Sequence, residues 1–133
     1  MTDLVFFYGT LMLPFQRVGR SRIDTLLRLV GYGTINAALF DLGIYPAAVP
    51  TPDGTVRGEV HEMLEPLTVL RELDGIEGYS ASEPESSLYT RVRTAVVLDD
   101  GREVNAWAYF YNAPLGRAER IESGDYLEHL KGH

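Results

Sequence analysis

Apolar positions change their period several times along this chain, and each change marks an element. Leu4-Val5-Phe6-Phe7-Tyr8 is an unbroken apolar and aromatic run ending at Gly9, the pattern of a strand buried on both faces. Ile23, Leu26, Leu27 and Val30 recur at helical spacing and predict a helix from about Ser21 to Val30. A second apolar region, Thr34 to Leu42, follows Gly31-Tyr32-Gly33, and Gly43-Ile44-Tyr45-Pro46 and Pro50 then impose irregular backbone. The turn signal Pro52-Asp53-Gly54 leads into a predicted strand over Val56 to Met63. From Pro66 to Tyr79 the pattern is a short amphipathic helix, with Leu67, Leu70 and Leu73 as its stripe and Pro66 suited to the first turn. After a polar loop, Ser80 to Ser87, the segments Tyr89 to Leu98 and Val104 to Tyr111 form a predicted antiparallel hairpin around Asp99-Asp100-Gly101. Leu115 to Leu130 carries a short helix or turn. Many strands with one or two helices imply a compact α+β domain, a curled sheet.

Composition narrows the class. A chain of 133 residues, 45% hydrophobic and 23% charged, is expected to be one domain, residues 1–133. With no cysteine, disulfides, thiol nucleophiles and thiolate metal sites are excluded. The net charge of −7 argues against a protein that grips nucleic acid by its phosphates. Arg17, Arg20, Arg22 and Arg28 are a local exception, better read as a solvated face than as an anion patch. The apolar runs are too short to span a bilayer, and Met1-Thr2-Asp3 lacks the basic start of a signal peptide, so a cytoplasmic location away from membranes is expected.

The most informative single residue is Glu77. It lies four positions after Leu73 and seven after Leu70, inside the apolar stripe, where an unpartnered carboxylate is costly. Gly75 and Gly78 bracket it, which places it at a helix C-terminus; burial and the helix dipole would both raise its pKa toward the range of a general acid or base. The competing reading is that Gly75 breaks the helix and Glu77 faces water. Asp74 reads as structural, a cap for the following turn. Tyr8-Gly9-Thr10-Leu11 is a strand end that turns sharply and presents backbone N–H groups to an anion such as a carboxylate; alone, it is equally a plain turn. Tyr89, Trp107, Tyr109 and Tyr111 repeat at period two. Trp107 reads as core, whereas Tyr89 is placed to line a pocket mouth with a free hydroxyl. His129 and His133 have the spacing of a metal pair but fall in a tail expected to fray, His61 has no evident partner set, and no metal site is predicted. Gly31-x-Gly33 is not a dinucleotide fingerprint, since Asn36 stands where the third glycine belongs, and no Gly-x-Ser-x-Gly elbow occurs.

The motifs in order resemble the gamma-glutamylcyclotransferase-like (AIG2-like) family, especially its gamma-glutamylamine cyclotransferase branch. The matching pieces are Phe6-Phe7-Tyr8-Gly9-Thr10-Leu11, Tyr45-Pro46-Ala47, Gly58-Glu59-Val60, Leu73-Asp74-Gly75-Ile76-Glu77-Gly78-Tyr79, Tyr89-Thr90-Arg91-Val92, Ala106-Trp107-Ala108-Tyr109 and Ser123-Gly124-Asp125-Tyr126. The resemblance implies a small, partly closed mixed β-barrel flanked by a few helices. It also implies that Tyr8, Gly9, Thr10 and Leu11, with Tyr89, bind a small-molecule gamma-glutamyl substrate, and that Glu77 is the catalytic acid/base, with no cofactor. The implied reaction converts a gamma-glutamyl-amine to 5-oxoproline and free amine. A non-catalytic carboxylate or amino-acid binding protein and a gamma-glutamyl amide hydrolase are the alternatives. Tyr126 stands where the family often has Trp, and Glu83 and Glu85 mark the 80–87 loop as distinctive.

Overall fold

The computed structural model describes residues 3–12, 22–43 and 45–131. Ser21, Arg17, Arg20 and His133, named above, lie outside them. The strands are β1 (Asp3–Phe7), β2 (Leu27–Ile35), β3 (Ala37–Asp41), β4 (Pro46–Pro50), β5 (Val56–Met63), β6 (Tyr89–Leu98), β7 (Glu103–Tyr111) and β8 (Glu119–Arg120). Among the described residues these strands are joined by two α-helices, α1 (Pro66–Glu77) and α2 (Tyr126–Lys131), and by short 3-10 turns at Asp24–Leu26 and Pro84–Ser86.

Five strands close a barrel in the order β1-β5-β2-β6-β7, and β4-β3-β8 form a second sheet. The barrel is closed rather than partly closed: β1 meets β7 in parallel at Val5 and Trp107, while the other neighbours run antiparallel. The apolar run at the start of the chain delivers its predicted strand, with Val5, Phe6 and Phe7 all buried. The β6–β7 hairpin also forms as read, paired from Tyr89–Tyr111 to Val97–Glu103.

The helix predicted over 21–30 does not form. Only a single 3-10 turn follows Ile23, and from Leu27 the chain is strand β2, paired with β5 from Leu27–Met63 to Ile35–Val56. A ladder this long outweighs a helical pattern that contains no cap and runs into Gly31 and Gly33, residues that weaken helices. The pattern also misassigned Val30, which is exposed.

Helix α1 keeps its length but shifts its stripe. Its buried residues are Val69, Leu70 and Leu73, with Ile76 packed at the edge of the core, while Leu67 is 82% exposed. At 100° per residue, Val69 and Ile76 pull the centre of the stripe away from Leu67, leaving Leu67 about 120° around the wheel. Glu77 stays within the buried sector. Gly75 does not break the helix; the stop is Gly78, left-handed at φ 67°, whose N–H donates to the Asp74 carbonyl as does that of Tyr79.

Candidate active site

Two phenols tie the second sheet to the barrel and thereby shape a cavity. Tyr8, just past β1, donates its hydroxyl to the Tyr109 carbonyl on β7 at 2.6 Å and accepts from the Ala48 N–H on β4 at 3.3 Å. Tyr89, the first residue of β6, donates to the Pro46 carbonyl on β4 at 3.0 Å. The Tyr45 and Tyr111 rings pack against that of Tyr89, at centroid distances of 6.2 and 5.2 Å. Between these anchors and the end of α1 lies a cavity of about 170 Å³, the scale of a small metabolite rather than a polymer.

The cavity wall brings together Glu77, the Tyr8–Leu11 turn and Tyr89, the residues that the family resemblance assigned to the site. Tyr8, Gly9, Thr10 and Leu11 line it together with Glu77 and Gly78 from the end of α1 and with Tyr89 and Tyr109. Met12 N–H donates to the Gly9 carbonyl at 3.0 Å, which closes the 9–12 segment into a turn over the cavity. Only glycine fits at position 9: a Cβ there would stand 2.8 Å from the Pro46 ring. Glu77 is half-buried and contributes a carboxylate, the one charged side chain among the described lining residues.

Glu77 leaves an electrostatic mark on two phenols. The Tyr8 hydroxyl is pushed well above the usual phenol range, first by burial and then by the negative charge of Glu77. Tyr109 is raised as well, by burial, by its hydrogen bond to Asp74 and, more weakly, by Glu77. Both phenols therefore stay protonated donors at neutral pH.

Several sequence readings need correction. The Tyr89 hydroxyl is not free for a ligand; it is buried and bound to Pro46, so Tyr89 offers the cavity a ring face. Asp74 is structural but caps no turn: it accepts from the Tyr109 hydroxyl at 2.6 Å and pairs with Arg91 at 3.0 Å. Trp107 is half-buried, flanked by the Arg91 and Arg93 guanidinium groups at 4.8 and 4.9 Å, instead of lying in the core. His129 belongs to α2 rather than a frayed tail, its Nε2 2.8 Å from Asp41. His61 has partners too, Glu59 at hydrogen-bond distance, 3.0 Å, and the Phe7 ring, and both the His61 and Glu59 side chains are buried. Tyr126 is buried and is not among the described residues lining the cavity. Among the described residues no group of three His, Asp or Glu side chains is placed to share a metal ion.

Tyr45, Pro46, Ile76, Leu88 and Tyr109 were not assigned to the site from sequence, yet all line it. Tyr109 lies opposite charged Arg91 in the β6–β7 register, a pairing that no local stretch of sequence displays.

Comparison with known proteins agrees with this architecture. Residues 5–128 match the family model described as gamma-glutamyl cyclotransferase, AIG2-like. The gamma-glutamylcyclotransferase family protein YtfP of Escherichia coli K12 is 33% identical over 128 residues, covering 96% of this chain and 98% of its own length. The solution structure of the Escherichia coli protein superimposes with a TM-score of 0.65 at 34% identity, over 95% of this chain and 97% of that one. An AIG2-like protein from Mus musculus gives a TM-score of 0.64 at 26% identity, over 85% and 80%. YkqA from Bacillus subtilis gives 0.72 at 25% identity; this chain is covered completely but spans 44% of that longer protein. With the family model matching residues 5–128 and a relative 33% identical over nearly its whole length, this chain belongs to the gamma-glutamyl cyclotransferase, AIG2-like family.

Proposed function

We propose that the protein is a gamma-glutamyl cyclotransferase-type enzyme that converts a gamma-glutamyl-amine, or a related gamma-glutamyl compound, to 5-oxoproline and free amine. The observation that carries this reading is that Glu77 lines the same small cavity as the Tyr8–Leu11 turn. The turn receives the amino-acid end of the substrate and the end of α1 supplies the carboxylate. In the reaction the α-amine nitrogen attacks the γ-carbonyl carbon of the same molecule. A five-membered ring closes, and the bond from that carbon to the γ-linked nitrogen breaks. Because nucleophile and electrophile belong to one molecule, the site needs mainly to fold the substrate into an attacking shape, and the aromatic lining provides a fixed surface for that.

Proton transfer is the chemical part. A free α-amine is ordinarily half or more protonated at neutral pH and then has no lone pair to offer. That ammonium proton is shed before attack and is matched by the one the released amine takes up. As the ring closes, the attacking nitrogen loses a second proton to Glu77, which delivers it to the departing nitrogen, so that it leaves as an amine instead of an amide anion. Atoms balance without water or cofactor.

Glu77→Gln keeps the side-chain shape and removes the proton carrier. We expect 5-oxoproline release from gamma-glutamyl-amines to fall by about 10²–10⁴-fold, the usual worth of a positioned general acid/base. Release within tenfold of wild type would defeat the assignment. Free glutamate in place of 5-oxoproline would indicate attack by water, and binding without either product a binding protein.

A further inference from the structure

Beside Glu77 stands a second carboxylate that the proposed chemistry does not use. Asp74 is three residues earlier on α1, which makes the two near neighbours on one helix face. Its Oδ1 accepts from the Tyr109 hydroxyl at 2.6 Å and lies 3.0 Å from Arg91 Nε, while Oδ2 accepts from Arg91 Nη2 at 3.3 Å. The pair is enclosed, with side chains 17% exposed for Arg91 and 20% for Asp74. Arg91 is fixed in turn between the Tyr79 and Trp107 rings, at 5.6 and 4.8 Å. A surface ion pair would swing freely; this one is bolted to β6, β7 and the residue that follows the α1 cap.

We propose that Asp74 and Arg91 are a positioning pair for the site: Asp74 clamps the Tyr109 phenol and the last turn of α1, and Arg91 cancels the Asp74 charge so that Glu77 faces the cavity without a second bare carboxylate beside it. The proposal rests on the reading of Glu77 as the acid/base. Tyr8 beyond β1, Tyr45 before β4, Tyr89 on β6 and Tyr109 on β7 line the cavity with Glu77, and Asp74, paired with Arg91 of β6, lies three residues before it on α1. Tyr8 and Tyr109 are held in their protonated form near pH 7, and the Asp74–Arg91 pair brings formal charge to the last turns of α1. If Arg91 is lost, a like charge one helical turn from Glu77 goes uncompensated and makes ionisation of Glu77 harder. If Asp74 is lost, the guanidinium acts alone and makes it easier.

The test is a carboxyl-¹³C NMR titration of Glu77 in the full chain, run beside the pH profile of 5-oxoproline release. Arg91→Met should move the Glu77 midpoint up by about one pH unit, and the acid limb of kcat/KM with it. Arg91→Lys, which keeps the charge, should stay near wild type. Asp74→Asn should move the midpoint down, and the Asp74→Asn/Arg91→Met double variant should return it close to the wild-type position. A merely structural pair would lower stability without moving the midpoint, so a folded Arg91→Met or Asp74→Asn protein with an unchanged midpoint overturns the proposal. A double variant as displaced as Arg91→Met does the same. Should Arg91→Met fail to fold, Asp74→Asn against Arg91→Lys decides the question alone. Full 5-oxoproline release by Glu77→Gln would instead defeat the acid/base reading and leave the titration result standing.

Discussion

Tyr109→Phe removes one oxygen and keeps the ring, so it isolates the bond from the Tyr109 hydroxyl to Asp74. That bond is 2.6 Å long and its acceptor is a carboxylate, a class worth about 1.5–3 kcal/mol. Two features discount it. Asp74 retains Arg91, and its side chain is 20% exposed, so water recovers part of the loss. We expect about 1–2 kcal/mol of destabilisation at pH 7, read as a lower urea midpoint with unchanged slope and a Tm lower by about 4–8 °C. The pH dependence provides a second reading. An ordinary phenol titrates at 10.0, and in the folded protein Tyr109 is raised above that by burial and by its bond to Asp74. Below pH 10 both folded and unfolded chains hold the proton and the stabilisation is fully present. Above it the unfolded chain releases the proton while the folded one keeps it, so stability falls by up to about 1.4 kcal/mol per pH unit. The Phe variant lacks that slope, and Tyr8, also raised, is common to both proteins and cancels in the difference. The gap between wild type and variant should therefore shrink from pH 9 upward and vanish near about pH 11. A gap under about 0.5 kcal/mol at pH 7, or one that runs parallel from pH 9 to 11, would refute the reasoning.

Two further substitutions test the corrected faces. Leu73→Ala should cost about 2–4 kcal/mol in urea denaturation because Leu73 is fully buried, whereas Leu67→Ala should cost under about 0.5 kcal/mol because Leu67 is 82% exposed; equal costs would contradict the observed stripe. Tyr89→Phe should lose about 1 kcal/mol of stability with its bond to Pro46 and leave the KM for a gamma-glutamyl-amine within about threefold, since the hydroxyl serves the fold; a tenfold rise in KM would restore it to ligand binding.

The parts of the fold that were legible in the sequence are those where one local signal acted without competition. Leu4 to Tyr8 is apolar at every position, and a strand covered on both faces is the arrangement that buries it. The β6–β7 hairpin combines alternation with a strong turn. The region after Ile23 was misread because its leucines fit two periods, and the deciding factor was a partner strand about thirty residues away in sequence, which no local window contains. The site divided in the same way. Glu77 and the Tyr8–Leu11 turn stood out because a charge in an apolar stripe and a glycine at a strand end are local anomalies. The job of the Tyr89 hydroxyl was not readable, since its acceptor, Pro46, comes from the other sheet. Arg91 entered only as part of the Tyr89–Val92 motif, and the tertiary structure alone shows it lying opposite Tyr109 and paired with Asp74.

Asp74 and Glu77 carry the same functional group on the same helix, and what separates their roles is angle and reach. Three residues of α-helix rotate a side chain by about 300°, so the two point about 60° apart. That difference is enough to turn Asp74 onto the phenol of β7 and the guanidinium of β6 while Glu77 faces the cavity. A proton carrier must exchange its proton with a substrate, which a carboxylate already engaged on both oxygens by a phenol and a guanidinium is poorly placed to do. Glu77 has one more methylene and sits at the last helical residue, where the left-handed Gly78 turns the chain aside and leaves its side chain against open volume. Position 78 must therefore be read together with 77. A residue with a Cβ there would favour a different exit from the helix, and the carboxylate would lose its aim before it lost its chemistry.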